Sequence, residues 1–154
     1  MSAAIVIETV ASRPLAAVAV RIAPGEIGAR FRASLDKVYA FLAARNEVRF
    51  PGAHNVFVYH RGGAPGDGRI GIEYGVQVVG PFACGDVIAT ATPAGRIAKA
   101  DHVGPYARLG ETHDAVRRWC RANGHALAGI DWEIYGDWND DPAKLVTTIC
   151  YLLA

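Results

Sequence analysis

Apolar positions recur along this chain with two periods, and the switches between them mark out its elements. Residues 5–10 (IVIETV) and 15–22 (LAAVAVRI) are extended-looking stretches broken at Arg13-Pro14. Pro24-Gly25 then opens a helix. Ile27, Phe31, Leu35, Val38 and Leu42 lie four, four, three and four residues apart, which makes one apolar stripe running to Ala44 or Asn46. Residues 54–60 (HNVFVYH) return to a strand, and 61–68 (RGGAPGDG) form a turn cluster. The next strand, 69–79, puts Ile70, Ile72, Tyr74, Val76 and Val78 on one face and Glu73, Gly75 and Gln77 on the other.

After Gly80-Pro81 the same sequence of periods begins again. Residues 85–92 read as a strand, Pro93-Ala94-Gly95 as a turn, and 96–102 as a further strand. Gly104-Pro105-Tyr106 opens a helix with the stripe Leu109, Val116 and Trp119, and Asn123-Gly124 stops it. A strand around Glu133, a turn at Asn139-Asp140-Asp141-Pro142 and a closing strand over 145–153 complete the chain.

The two halves therefore match. Residues 18–44 run strand, Pro/Gly turn, helix, and 97–123 do the same; Val56-Phe57-Val58-Tyr59 aligns with Trp132-Glu133-Ile134-Tyr135, tyrosines in register. The pattern predicts an α+β fold in one domain over 1–154. It is a tandem pseudo-two-fold repeat of two β-α-β-β modules, about 1–80 and 81–154, with an antiparallel sheet and a central ligand cleft. The register predicts that Phe57 and Tyr59 hold in the first half the place that Glu133 and Tyr135 hold in the second. The junction would then be lined by aromatics and carry one carboxylate.

Composition narrows the function classes. At 154 residues the chain is long enough to bury a core, and 51% hydrophobic against 20% charged residues marks it as globular rather than disordered. Sixteen Lys and Arg against fifteen Asp and Glu give a net charge of +1, which offers no electrostatic reason to expect nucleic acid; Arg117, Arg118 and Arg121 sit close together as a local basic patch and are read as a solvated helix face, so no direct nucleic-acid binding is expected. No apolar run approaches a membrane span and no leader pattern is present; the expectation is a cytoplasmic protein without a membrane partner. Cys84, Cys120 and Cys150 are too widely spaced for a C-x-x-C site, and His54, His60, His102, His113 and His125 show no H-E-x-x-H spacing. Neither a metal nor a cofactor is expected. His102 is assigned to ordering the start of the second helix or edging the cleft.

The stretch Asp131-Trp132-Glu133-Ile134-Tyr135-Gly136-Asp137-Trp138 carries the candidate chemistry. Its alternation puts Trp132 and Ile134 on one face and Glu133, Tyr135 and Asp137 on the other. A carboxylate in such a place finds a partner, waits for one, or is solvated, because an ionised group is costly to strand away from water. If Glu133 faces the cleft, Trp132 should pack under a helix, and Trp138 at the strand end could close the cleft.

Asn55-Val56-Phe57-Val58-Tyr59-His60, Ile72-Glu73-Tyr74-Gly75-Val76-Gln77-Val78 and Thr92-Pro93-Ala94-Gly95 form an ordered set with His102-Val103-Gly104-Pro105-Tyr106 and Trp132-Glu133-Ile134-Tyr135. No one of these motifs is specific, but in order and spacing they cover nearly the whole chain. The set resembles the GyrI-like small-molecule-binding family, which includes the effector-binding domains of AraC- and MerR-type multidrug regulators and stand-alone gyrase-inhibitory proteins. The resemblance implies a buried acid at Glu133 that meets cationic aromatic ligands. Tyr135, Tyr106, Tyr59 and Phe57 would stand around such a ligand, with Glu73 a further candidate. Aromatic faces suit that task, since each adds cation–π attraction of roughly 0.5–2 kcal/mol.

With the domain starting at residue 1, the expectation is a stand-alone protein that binds a cationic or aromatic drug or toxin. The alternative is a hydrolase of cyclopropane-type electrophiles using Glu133 with Tyr135 or Tyr106, for which burial would raise the Glu133 pKa toward neutrality. A gyrase-inhibitor-like interaction protein is the third reading. A protein partner and the oligomeric state stay open.

Overall fold

The computed structural model describes residues 4–61, 68–83 and 85–154; most of the expected turn cluster (62–67) and Cys84 lie outside the described residues. Within them the chain runs β1 (Val6–Val10), β2 (Pro14–Ile22), α1 (Ile27–Ala43), β3 (Asn55–His60), β4 (Ile70–Gln77), β5 (Ile88–Ala91), β6 (Gly95–Val103), α2 (Leu109–Ala122), β7 (Leu127–Tyr135) and β8 (Val146–Leu153). A short 3-10 turn precedes each helix, at Pro24–Glu26 and Tyr106–Arg108, so both helices start later than their Pro/Gly signals. The strand expected over 85–92 is regular only over β5.

All eight strands join one antiparallel sheet in the order β1-β6-β8-β7-β3-β4-β2-β5. This order is the two-module repeat made visible. Exchanging each strand for its counterpart in the other half reverses the list, with the pseudo-dyad between β3 and β7. There Phe57 stands directly opposite Glu133. The first strand of each half crosses to the other's edge: β1 pairs with β6 and β5 with β2.

Both helices lie on the same sheet face, as the alternation dictates. From α1, Leu35, Val38 and Leu42 pack on Ala16, Val18, Ile72, Tyr74 and Val76. From α2, Leu109, Val116 and Cys120 pack on Ala98, Ala100, Ile149 and Tyr151. Each fully buried aliphatic side chain contributes roughly 1.5–3 kcal/mol, so these stripes hold the helices down. The α2 stripe differs from expectation: His113 and Cys120 are buried in it, whereas Trp119 is only half-buried and stacks on His125.

Among the described residues no helix lies on the opposite face, yet Leu15, Val56, Val58, Ile97 and Cys150 are buried there in one cluster with Trp132. Leu15 and Ile97 belong to strands far apart in the sheet order, and only residues 11–13 link β1 to β2. The sheet therefore bends until its halves cover each other. Trp132 packs in that fold of the sheet and not under a helix as expected, because sheet curvature is invisible to the alternation pattern.

Candidate functional site

Between α1, α2 and the sheet centre lies a cavity of about 800 Å3. The floor is the central strand pair, presenting Phe57 and Tyr59 from β3 and Glu133 and Tyr135 from β7. One wall is α1, with Ile27, Phe31 and Leu35 one helical turn apart; the other is α2, with Leu109, His113 and Arg117 at the same spacing. The aromatic rings interlock. Phe57 meets Tyr74 and Tyr135 edge-on, with centroids 4.8 and 4.9 Å apart, and Tyr135 meets Tyr106 at 5.4 Å. Phe31 lies 6.3 Å from Phe57. Tyr39, Tyr106 and Trp138 stand at the rim as exposed rings, Trp138 being 72% exposed.

The polar groups form a connected network around Glu133, which is only 5% exposed. The Tyr59 and Tyr135 hydroxyls each donate to Oε1 at 2.6 Å, and His113 Nε2 lies 2.6 Å from Oε2. His113 Nδ1 lies 2.6 Å from the Tyr151 hydroxyl, which accepts from Arg117 Nη1 at 2.8 Å. The network is closed: Arg117 donates to the Tyr151 hydroxyl, and the imidazole of His113 bridges that hydroxyl at Nδ1 to the Glu133 carboxylate at Nε2. Beside it, Asp131 is 1% exposed and takes Arg61 Nε at 2.6 Å and Nη2 at 3.3 Å, while the Arg61 guanidinium caps the Tyr59 ring at 5.0 Å.

The two acids shift in opposite directions. Burial pushes Glu133 upward, but the bonds from His113, Tyr135 and Tyr59 outweigh it and hold the carboxyl below its ordinary value. Asp131 is raised, because burial exceeds what Arg61 offsets. Burial and the charge of Glu133 together raise the Tyr59 and Tyr135 phenols far above their usual range. Burial also pushes the Cys150 thiol up to about 12, which leaves it a packed apolar group. Among the described residues, no group of three or more His, Cys, Asp or Glu side chains is arranged to hold a metal ion. Nor is any helix among them long and apolar enough to cross a membrane.

Of the residues singled out from the sequence, Glu133, Tyr135, Tyr106, Tyr59 and Phe57 all line the cavity. Glu73 does not. It lies on the other sheet face, buried and hydrogen-bonded to His60 Nε2, so it is neither solvated nor in the cleft. The expectation that burial would bring Glu133 toward neutrality is also overturned, since the chain supplies three donors of its own. His102 lies outside the cavity lining, bonded to Thr112 Oγ1 and the Pro105 carbonyl at the start of α2. Sequence reasoning missed His113 because it searched the histidines for metal spacing, and Arg117 because its cluster with Arg118 and Arg121 read as a solvated helix face, whereas it lines the cavity and bonds Tyr151. The available signal was the stripe itself: His113 falls one turn after Leu109, on the apolar face.

A sequence profile described as the GyrI-like small molecule binding domain matches residues 3–153. The chain belongs to the GyrI-like family. The GyrI-like cavity, with its aromatic cluster and buried charges, is that of a small-molecule-binding domain. By structure this GyrI-like domain is similar to the EcmrR C-terminal domain, with TM-score 0.78 and 18% identity over 100% of this chain and 99% of that one. EcmrR in a complex with DNA gives 0.77 and 16%, over 98% of this chain but 57% of that one, so the domain spans little more than half of that longer chain. SAV2435 bound to tetraphenylphosphonium gives 0.67 and 13%, over 100% and 94%. A hydrolase from Listeria innocua gives 0.64 and 12%, over 97% and 91%. At these identities the likeness is one of fold. No curated protein matches the chain.

Proposed function

We propose that the cavity binds a bulky aromatic small molecule and that the chain acts as a binding protein for it. The observation that carries this reading is a pair of glycines. Gly28 and Gly110 occupy matching places in the first turns of α1 and α2, and both line the cavity. Beyond its chain neighbours and its own helix backbone, a Cβ added at either would meet no atom within 4 Å among the described residues. Glycine costs a helix roughly 1 kcal/mol relative to alanine, and here no packing contact demands it. What the two glycines keep is room between the helices. The cavity volume is that of a drug-sized site, and its rings offer apolar area without requiring one ligand shape.

Binding fits the network better than turnover does. General acid–base work at neutral pH wants groups poised near 7. Here Glu133 is held low and both tyrosines are held high, so each keeps its proton state. That tetraphenylphosphonium is bound by SAV2435, a protein of the same fold, supports bulky aromatics as the class to screen.

The test is a thermal-shift screen of such molecules on the native chain and on Gly110→Phe, which fills the cavity from α2. A ligand at 100 times its Kd stabilises the native state by about 2.7 kcal/mol, and the shift should vanish in the filled variant while its ligand-free melting temperature is kept. Equal shifts in both proteins would place binding elsewhere, and no shift with any bulky aromatic would reject the reading.

A further inference from the structure

The folded side of the sheet holds a second cavity, of about 310 Å3, and no residue that lines it lines the space between the helices. Its floor is the central strand pair seen from behind. Val56 of β3 and Ile134 of β7 stand directly opposite each other there, with Trp132 beside them. Residues Glu8, Val10 and Arg13, from β1 and the link into β2, border it, as do Lys99 of β6 and Gln77 of β4. The repeat sets Ile134 at the place that Val58 holds in the first half. Val58 is 0% exposed and takes no part in the cavity, whereas Ile134 lines it and is only half-buried. Apolar surface at the centre of an eight-stranded sheet is thus covered in one half and left open to this cavity in the other. Small-molecule sites start at roughly this size and combine an apolar lining with a few placed polar groups.

The polar groups at its edge are matched with one exception. Lys99 Nζ is held by Glu8 at 3.1 Å, Thr148 Oγ1 donates to Asp101 at 2.7 Å, and Gln77 Oε1 accepts from the His54 backbone N–H at 3.0 Å. Arg13 differs. Its N–H donates to Thr92 Oγ1 at 3.0 Å and its carbonyl accepts from the Thr92 N–H at 2.9 Å, while Ser12 Oγ donates to the Thr92 carbonyl at 2.6 Å. The link is therefore clamped, and Arg13 is fixed at the cavity edge with a guanidinium that has no hydrogen-bond or ion-pair partner among the described residues. A guanidinium in that state matches a carboxylate with two parallel hydrogen bonds. The space between two leaves of one folded sheet is a slot, which a flat ring fits better than a branched chain. We propose that this rear cavity is a second ligand site, taking a small aromatic carboxylate whose ring lies on Trp132 and Ile134 and whose charge meets Arg13. It does not depend on what the space between the helices binds.

The experiment titrates cinnamate and its neutral amide, cinnamamide, into the full chain and follows the indole N–H signals of the three tryptophans by heteronuclear NMR. Cinnamate should move the Trp132 signal, because that ring is in the cavity floor, and should bind about tenfold more tightly than the amide, since a hydrogen bond to a charged group is at stake. Arg13→Gln should bring acid and amide to equal affinity. Thr148→Phe, which fills the cavity, should abolish binding of both, and Gly110→Phe, which fills the space between the helices, should leave both unchanged. A variant that merely loosens the fold lowers both affinities together and leaves their ratio alone. Shifts confined to Trp138, binding that disappears in Gly110→Phe, equal affinities of acid and amide for the wild type, or no Trp132 shift with either probe each overturn the proposal. If Thr148→Phe fails to fold, Arg13→Gln lies at an exposed position and still decides it. The reading of the central cavity stands or falls by its own screen, which none of these outcomes replaces.

Discussion

The halves of this domain share a topology and differ in chemistry. On the α1 side the cavity wall is Ile27, Phe31 and Leu35, and the central strand offers Phe57. On the α2 side the same places hold Leu109, His113 and Arg117, and the strand offers Glu133. One module supplies most of the apolar wall and the other the acids and the imidazole of the polar network, which Tyr59 and Arg61 of the first module complete, so the ligand space has a greasy wall and a polar wall facing each other across a pseudo-dyad. A repeat that stayed symmetric would have left an all-apolar or a doubly acidic cleft. Divergence at a few inward-facing positions produced an oriented site without altering the frame.

The largest expected effect comes from swapping that chemistry at the dyad. Glu133→Leu leaves Tyr59, Tyr135 and His113 without their acceptor, and urea denaturation should show a loss of about 3 kcal/mol or more, since each buried donor left unpaired costs about 1–3 kcal/mol. Its counterpart Phe57→Leu loses ring contacts and no hydrogen bond, with an expected cost of about 1 kcal/mol. Equal losses would mean that the two halves are energetically alike.

Next in size is the apolar wall. Phe31 is only partly buried because its ring faces the cavity. Phe31→Ala should therefore weaken an aromatic ligand by about tenfold, measured by calorimetry, while costing less stability than truncation of the better-buried Phe57.

The pH dependence separates the two acids of the polar half. Glu133 has a lowered folded pKa, so its stabilisation is present above the unfolded value near ~4.3 and is lost as pH falls through the folded one. Asp131 is raised, so its contribution has the opposite slope, being lost as pH rises from about 3.9 through the folded value. In denaturation series between pH 2 and 7, Glu133→Gln should flatten the acid limb, and Asp131→Asn should steepen the net rise of stability with pH. The smallest effect is at the rim. Trp138→Ala removes an exposed ring and should change stability by no more than about 0.5 kcal/mol, while abolishing any quenching of its fluorescence by a bound ligand.

Much of this was legible in the chain. The change of hydrophobic period located both helices and the long strands, because burial of one face imposes a period of 3.6 or 2 whatever the neighbours are. The repeat followed, and with it the pairing of Phe57 with Glu133. Alternation grouped Glu133 with Tyr135 and Phe57 with Tyr59, and the repeat together with the family resemblance set them at the cleft. Glu73, by contrast, was a ligand candidate although alternation set it opposite Tyr74, and the structure holds it with His60 outside the cavity.

What the sequence determined was which residues share a face, since that follows from backbone geometry within one element. What only the tertiary structure decided was which faces meet. Trp132 is covered by the folded sheet, and His113 reaches Glu133 across 20 residues of chain. The state of that carboxylate depends on donors from β3, β7 and α2 arriving together. A period records that a side chain points inward; the electrostatics of the place it points to belong to the elements packed around it.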